Sequence, residues 1–300
     1  MSFKLENFAQ ATAAYIENIL PIFIPVRNVR KAKIIDFFNK NGMLKIETFF
    51  GSVQVKRVLL TQQHKRILEN LLAEPKQRLN DGSFYIEIER YNFLKKIGAT
   101  PTNYNWLEEK ITDLRSATIE LSWTDQEDNK QTFGFGIIEE YKYTEEVKEG
   151  KGGRGRPIKK MKIKFTRAYT MLYRNYDLLN YRSMLPLLNR LRNPFLEGLI
   201  TYLFLHKKQD IYFSTFVKNS GLDSILEERM INDHKNSLGE LETIKSLEPF
   251  GILIDNKDPN DPLIMYKRPD GVYFLEQNQN LQPKNLQIKP KKILEQGQLL

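Results

Sequence analysis

The chain has 300 residues, with 46 lysines and arginines against 37 aspartates and glutamates, a formal net charge of +9, three histidines and no cysteine. The absence of cysteine excludes disulfides, thiolate nucleophiles and sulfur-ligated zinc, and His64, His206 and His234 are too widely spaced to read as a metal motif. No apolar run approaches the roughly 18 to 20 residues that cross a bilayer, no secretory signal is visible, and the excess of cations points to a polyanion, because lysine and arginine displace counterions condensed on phosphates. The expectation is a cytoplasmic protein that touches no membrane and has a length suited to about two domains.

The segment "LENFAQATAAYIENIL", residues 5 to 20, has the pattern of one amphipathic helix closed by Pro21 and Pro25, and residues 1–45 read as an N-terminal helical arm. From Leu59 the order is helix, short strand, brief helix, helix, hairpin. "LTQQHKRILENLLAE" carries apolar residues at helical spacing with Thr61 as its cap. "GSFYIEIE" alternates as a strand, and "RYNFLKKIG" is a short helix ended by Gly98. Thr100 and Pro101 then open a helix whose Tyr104, Leu107, Ile111 and Leu114 form one buried stripe. "ATIELSW" and "QTFGFGIIEEY" are expected to pair as the hairpin that completes a first domain, residues 46–165.

The same order recurs in residues 166–275. "NPFLEGLITYLFLHKK" is a helix, "DIYFS" a strand and "TFVKNSG" a brief helix. A single long helix is expected from Ile225 to about Leu247, its start fixed by Ser224 and Glu227 in a capping box. "GILID" and "LIMYKR" form a hairpin across "NKDPNDP". Residues 276–300, rich in Gln, Asn, Lys and Pro, read as a flexible tail. The whole is expected to be α+β, two tandem winged-helix (helix-turn-helix) domains, a design that places the third helix in the DNA major groove.

The stretches "FFGSVQVKRVLLTQQHKRILENLL", "FLKKIGATPTNYNWLEEKITDLRSATIEL", "KFTRAYTMLYRN" and "RLRNPFLEGLITYLFLHKKQDIYFSTFVKNSGL" resemble, in order and spacing, the TrfA family of plasmid replication initiators. The likeness runs over roughly residues 47 to 255. It implies an initiator, active as a monomer and inactive as a dimer, that binds iteron repeats at a plasmid origin. It also implies opening of an adjacent A/T-rich segment and recruitment of host initiator, helicase and other replication proteins. The basic, glycine-rich insertion at residues 148–160 departs from what the resemblance accounts for.

Within that insertion "RGRP", Arg154 to Pro157, matches the core of an A/T-hook, in which Arg-Gly-Arg lies in a narrow minor groove. The bland alternative is a basic wing extension with no base preference. Under both, Lys151, Arg154, Arg156, Lys159 and Lys160 contact DNA. A phosphate-binding loop fails because Gly155 is followed by Arg156 and Pro157 instead of lysine and a hydroxyl residue.

On the long helix, Met230, Ile231, Leu238 and Leu241 share one side with His234, a core or boundary residue, while Arg229, Asn232 and Asn236 fall opposite with Lys235 on the flank. Arginine pairs with guanine and asparagine with adenine, so this trio suits base reading and Lys235 a phosphate. In the first domain Thr102, Asn105 and Lys110 are the candidate contacts, among more numerous acids. Gln296, Leu299 and Leu300 in "QGQLL" resemble the peptide by which partners dock on the sliding clamp. Tyrosines 169, 173, 176 and 181 read as packing residues, since no paired histidines support a nicking site. The expectation is therefore a non-enzymatic protein without cofactor or metal. The alternative is a winged-helix transcription regulator acting as an autorepressor.

Overall fold

The computed structural model describes residues 11–14, 17–18, 21–26, 38, 40–48, 51–124, 129–148, 156–175 and 178–275. The architecture is α+β. The elements in order are β1 (Ala13–Ala14), β2 (Met43–Glu47), β3 (Ser52–Lys56), α1 (Gln62–Leu72), β4 (Lys76–Arg78), β5 (Phe84–Glu89), α2 (Arg90–Lys96) and α3 (Tyr104–Ser116). They continue with β6 (Thr118–Thr124), β7 (Lys130–Phe135), β8 (Ile138–Lys148), β9 (Arg156–Phe165), α4 (Arg167–Asn175), β10 (Leu178–Asn180), α5 (Leu185–Leu188) and α6 (Pro194–Leu203). The chain ends with β11 (Lys208–Tyr212), α7 (Phe213–Asn219), α8 (Glu228–Ser237), α9 (Leu241–Leu247), β12 (Ile252–Asp255), β13 (Leu263–Lys267) and β14 (Tyr273–Leu275).

One order of elements occurs twice. In the first unit α1, β5, α2 and α3 are followed by the β8–β9 hairpin, and β5 pairs with β9. In the second, α6, β11, α7 and α8 are followed by the β12–β13 hairpin, and β11 pairs with β13. In both, the short helix starts directly after its strand and ends at a glycine of positive φ, Gly98 at 73° and Gly221 at 67°. A left-handed residue past the helix end is where glycine carries no Cβ penalty.

Several sequence expectations are corrected. The strands read as the first hairpin, now β6 and β7, belong to a separate sheet ordered β2-β3-β6-β7, and the hairpin beside α3 is β8–β9. The stretch taken as an insertion begins and ends in strand: Lys148 closes β8 and residues 156–160 open β9, with Lys148 paired to Arg156 and Glu145 to Lys159, while residues 149–155 lie outside the described part. The helix expected over residues 5 to 20 is interrupted, because Ala13 and Ala14 pair with Leu179 and Leu178. Helix α3 starts at Tyr104, not at Pro101, with Asn103 as its cap: the Asn103 side chain accepts from the Trp106 amide at 3.4 Å.

The long helix from Ile225 to Leu247 is two helices, α8 and α9, parted at Leu238–Glu240, where Gly239 is a poor helix former and Leu238 turns into the core. Ser224 caps nothing; its hydroxyl donates back to Gly221 O at 2.7 Å inside a 3₁₀ turn, and the residue before α8 is Glu227. Leu241, expected on the buried stripe, is 66% exposed.

Other expectations hold in detail. Thr61 caps α1, and Leu107, Ile111 and Leu114 are fully buried. Tyr169 and Tyr181 are packing residues, buried with their hydroxyls on Glu17 (2.6 Å) and Glu69 (2.7 Å).

The two units meet through α1 and α6. Lys65 Nζ donates to Thr201 Oγ1 at 2.6 Å, Asn70 and Asn189 exchange amide hydrogen bonds at 3.0 Å each, and Arg66 holds the buried Glu197 carboxylate and Leu191 O. Gly221 also lies against β2: a Cβ there would sit 2.7 Å from Glu47 O. A fourth sheet, β1-β10-β14, joins the N-terminal segment, the link between the units and the last described strand.

The three histidines are all partly or fully buried, and burial lowers the pKa of each below 6.5. At His64 the hydrogen bond to Asp113 opposes this without reversing it. The unfolded chain therefore binds more protons than the folded one just below pH 6.5, so stability is full above that pH and is lost as pH falls towards the folded values. A melting temperature that drops by several degrees between pH 7.5 and 5.5 is expected in a thermal scan. A flat profile would contradict it.

Candidate nucleic-acid interface

Helix α8 has no buried residue. Its inward side is held by Met230 and Ile231, half-buried on the core, and by His234, whose ring stacks on Phe195 at 4.3 Å. That anchoring leaves Arg229, Asp233 and Asn236 exposed, with Asn232 and Lys235 half-buried. Among the described residues neither Arg229 nor Lys235 forms an ion pair, so the guanidinium fork and the two amides keep their hydrogen-bonding capacity for a ligand. Asp233 on the same surface and Glu228 in the first turn, both exposed, disfavour a phosphate.

Thr102, just before α3, and Asn105 in its first turn are exposed, as the sequence suggested. Lys110 has an intramolecular task. Its Nζ bonds Glu109 at 3.0 Å and Asp113 at 3.1 Å, and Asp113 also takes His64 Nε2 at 3.0 Å. Because His64 Nδ1 accepts from the Thr61 amide at 2.9 Å, its proton sits on Nε2 and points to Asp113. The chain Thr61–His64–Asp113–Lys110 thus fastens α1 to α3. Burial pushes the Asp113 carboxyl up, but the hydrogen bonds from His64 and Lys110 outweigh it and hold the carboxyl below the usual range.

The β8–β9 hairpin is seated on α3 by a ladder of rings and cations. Tyr141 OH lies 2.7 Å from Thr112 Oγ1, Arg90 stacks on both Tyr104 (4.6 Å) and Tyr143 (4.9 Å), and Arg115 faces Tyr141. Neither Tyr141 nor Tyr143 was singled out from the sequence; their alternation in "EYKYTEE" was the available signal. Lys159 and Lys160 point to opposite faces of β9, as successive strand residues must. Lys159 pairs with Glu145 at 3.3 Å and Lys160 with Glu87 at 3.4 Å. Exposed pairs of this kind are worth only about 0–1 kcal/mol, so a phosphate can displace them.

Arg156 lies in β9 opposite Lys148. Lys151 and Arg154 lie outside the described residues, as do Gln296, Leu299 and Leu300. The structure thus places Arg229, Asn232, Lys235 and Asn236 on α8, Thr102 in the turn before α3, Asn105 and Lys110 on α3, and Lys159 and Lys160 on opposite faces of the neighbouring hairpin. Among the described residues no three His, Asp or Glu side chains are grouped to hold a metal ion, and no helix is long and apolar enough to cross a membrane.

No family model matches the sequence, and no curated protein matches it. Among solved structures the chain is similar to the SeMet derivatives of domain 2 and domain 3 of RctB, with a TM-score of 0.49 and 10% identity over 87% of this chain and 97% of that one. It is also similar to RctB domains 2–3 in a second structure, RctB-155-483, with a TM-score of 0.41 and 11% identity over 75% of this chain and 90% of that one.

Proposed function

We propose that this protein is a non-enzymatic initiator of plasmid replication, cytoplasmic, that binds iteron repeats at an origin through two winged-helix units and promotes opening of adjacent A/T-rich DNA. The observation that carries the reading is α8, a helix with no fully buried residue that follows a helix–strand–helix and is followed, after α9, by a hairpin, and that presents an arginine without an ion pair among the described residues and two asparagines. In this reading Arg229, Asn232 and Asn236 contact base edges and Lys235 a phosphate. Thr102 and Asn105 add contacts near the start of α3. The cations of the β8–β9 hairpin, with Lys151, Arg154 and Arg156, grip backbone or minor groove. Binding energy gained there offsets part of the cost of distorting the neighbouring duplex. Host replication proteins are the further partners, with Gln296, Leu299 and Leu300 as the clamp peptide, and the protein exchanges between monomer and dimer.

The test is a gel-shift titration on a duplex recovered by selection from a random library. With about eight phosphates neutralised, log affinity should fall against log salt with a slope of about −7. A slope near zero would rule the reading out. A plasmid carrying the selected repeats but no initiator of its own should replicate only when the protein is supplied; binding without replication would leave a transcription regulator instead.

A further inference from the structure

The duplicated architecture supplies an internal control for the second unit's sheet. Successive strand residues face opposite sides, so the register defines which positions point away from the helices. In the first unit these are Glu89 opposite Lys160, and Lys162 between Glu87 and Lys142. In the second they are Tyr212 opposite Leu263, and Met265 between Asp210 and Leu253. Where the first unit carries Glu89, Lys142, Lys160 and Lys162, the second carries Tyr212, Leu253, Leu263 and Met265. The inner faces are alike: Ile86, Ile88, Met161 and Ile163 are buried in one, and Ile211, Ile252, Ile264 and Tyr266 in the other. The fold therefore does not require apolar residues on the outer side, yet Tyr212 and Leu253 stand there 52% and 55% exposed.

The dimensions and charges of this face select its occupant. Three strands about 4.8 Å apart and four or five residues long make a platform of about 10 by 16 Å. A helix of three turns is about 16 Å long and 10 Å thick. A stable dimer buries about 800 Å² on each partner, several times what such a platform offers. Lys208 and Lys267 pair across one end, without ion pairs among the described residues, and Asp255 closes the other end on β12, held only by the exposed Lys257 at 3.2 Å, a pair worth about 0–1 kcal/mol that a bound helix end can displace. Charges so placed complement a helix dipole, whose C-terminal end is negative and N-terminal end positive.

We propose that the outer face of the β11-β13-β12 sheet docks an amphipathic helix of a partner protein, laid along the strands with its C-terminal end at Lys208 and Lys267 and its N-terminal end at Asp255. The inference does not depend on the DNA reading, and the two fail separately.

The probe is a fluorescent helical peptide of about eleven residues, with leucines on one face, lysines in its first turn and glutamates in its last. A second peptide has the two charged ends exchanged. The full chain should bind the first saturably and the second about five- to tenfold more weakly, the sum of two end effects. Leu253→Lys with Met265→Lys, which installs the lysines that the first unit carries at these places, should abolish peptide binding with DNA affinity unchanged. Should that pair not fold, Leu253→Ser alone should weaken peptide binding. Equal affinity for the two peptides, or undiminished binding by a folded variant, overturns the proposal. So does self-association in sedimentation that the double variant removes, which would assign the face to a second copy. Binding that emerges only after deletion of residues 276–300 would assign it to the chain's own end and overturn the proposal equally.

Discussion

Replacing Arg229 and Asn236 together by alanine is expected to leave the protein folded and to lower its affinity for a selected duplex by about 2–6 kcal/mol, roughly 30- to 20,000-fold. The magnitude follows from losing two bidentate base contacts of about 1–3 kcal/mol each. The fold should survive because α8 buries none of its residues and its attachment runs through Met230, Ile231 and His234 on the other side. Affinity for random duplex, carried by phosphates, should change by less than about threefold. Competition gel shifts with selected and random DNA measure both. An equal loss on both DNAs would demote α8 from base reader to a plain cationic surface.

The largest stability effect is expected at the junction of the units. Arg66→Ala should destabilise the protein by about 3–5 kcal/mol, because the Glu197 carboxylate, 4% exposed, would remain in a site without its guanidinium. For a chain of this size that is a fall in melting temperature on the order of 5–10 °C. Pairing Arg66→Met with Glu197→Gln should recover most of the loss, since the isolated buried charge, not the absent ion pair, carries the cost. A single variant that melts within about 2 °C of the parent would show that water reaches Glu197 and that the junction is looser than its geometry implies.

Local pattern made much of the fold legible. Thr61 as a cap, the Leu107–Ile111–Leu114 stripe, Gly98 closing a short helix and the turn-rich link between β12 and β13 all follow from neighbours in sequence. Strand partnership did not, because it is decided by contacts between distant residues: nothing near "ATIELSW" says that it pairs with "SVQVK" and not with "EEYKYTEE". The β2–β3 strands were missed for the same reason.

The glycines of "EGKGGRGRP" hid a hairpin in which Met161 and Ile163, alternating with lysines, are the buried residues. On α8 the side carrying Arg229 and Asn236 was legible from helical period, but the break after Ser237 was not. Gly239 and the burial of Leu238 set that break, and together they carry Leu241 out of the stripe. Lys110, a candidate contact by sequence, is instead bonded to Glu109 and Asp113, in a network anchored by His64, 46 positions earlier in the chain.

Both repeated units are expected to hold one duplex. Hydroxyl-radical footprinting of a single bound copy tests it most directly. Two protected patches about 10 to 10.5 base pairs apart are predicted, one assigned to α3 with its hairpin and one to α8, the latter fading in the Arg229→Ala, Asn236→Ala variant. Protection confined to a single groove, or spread evenly without periodicity, would contradict it.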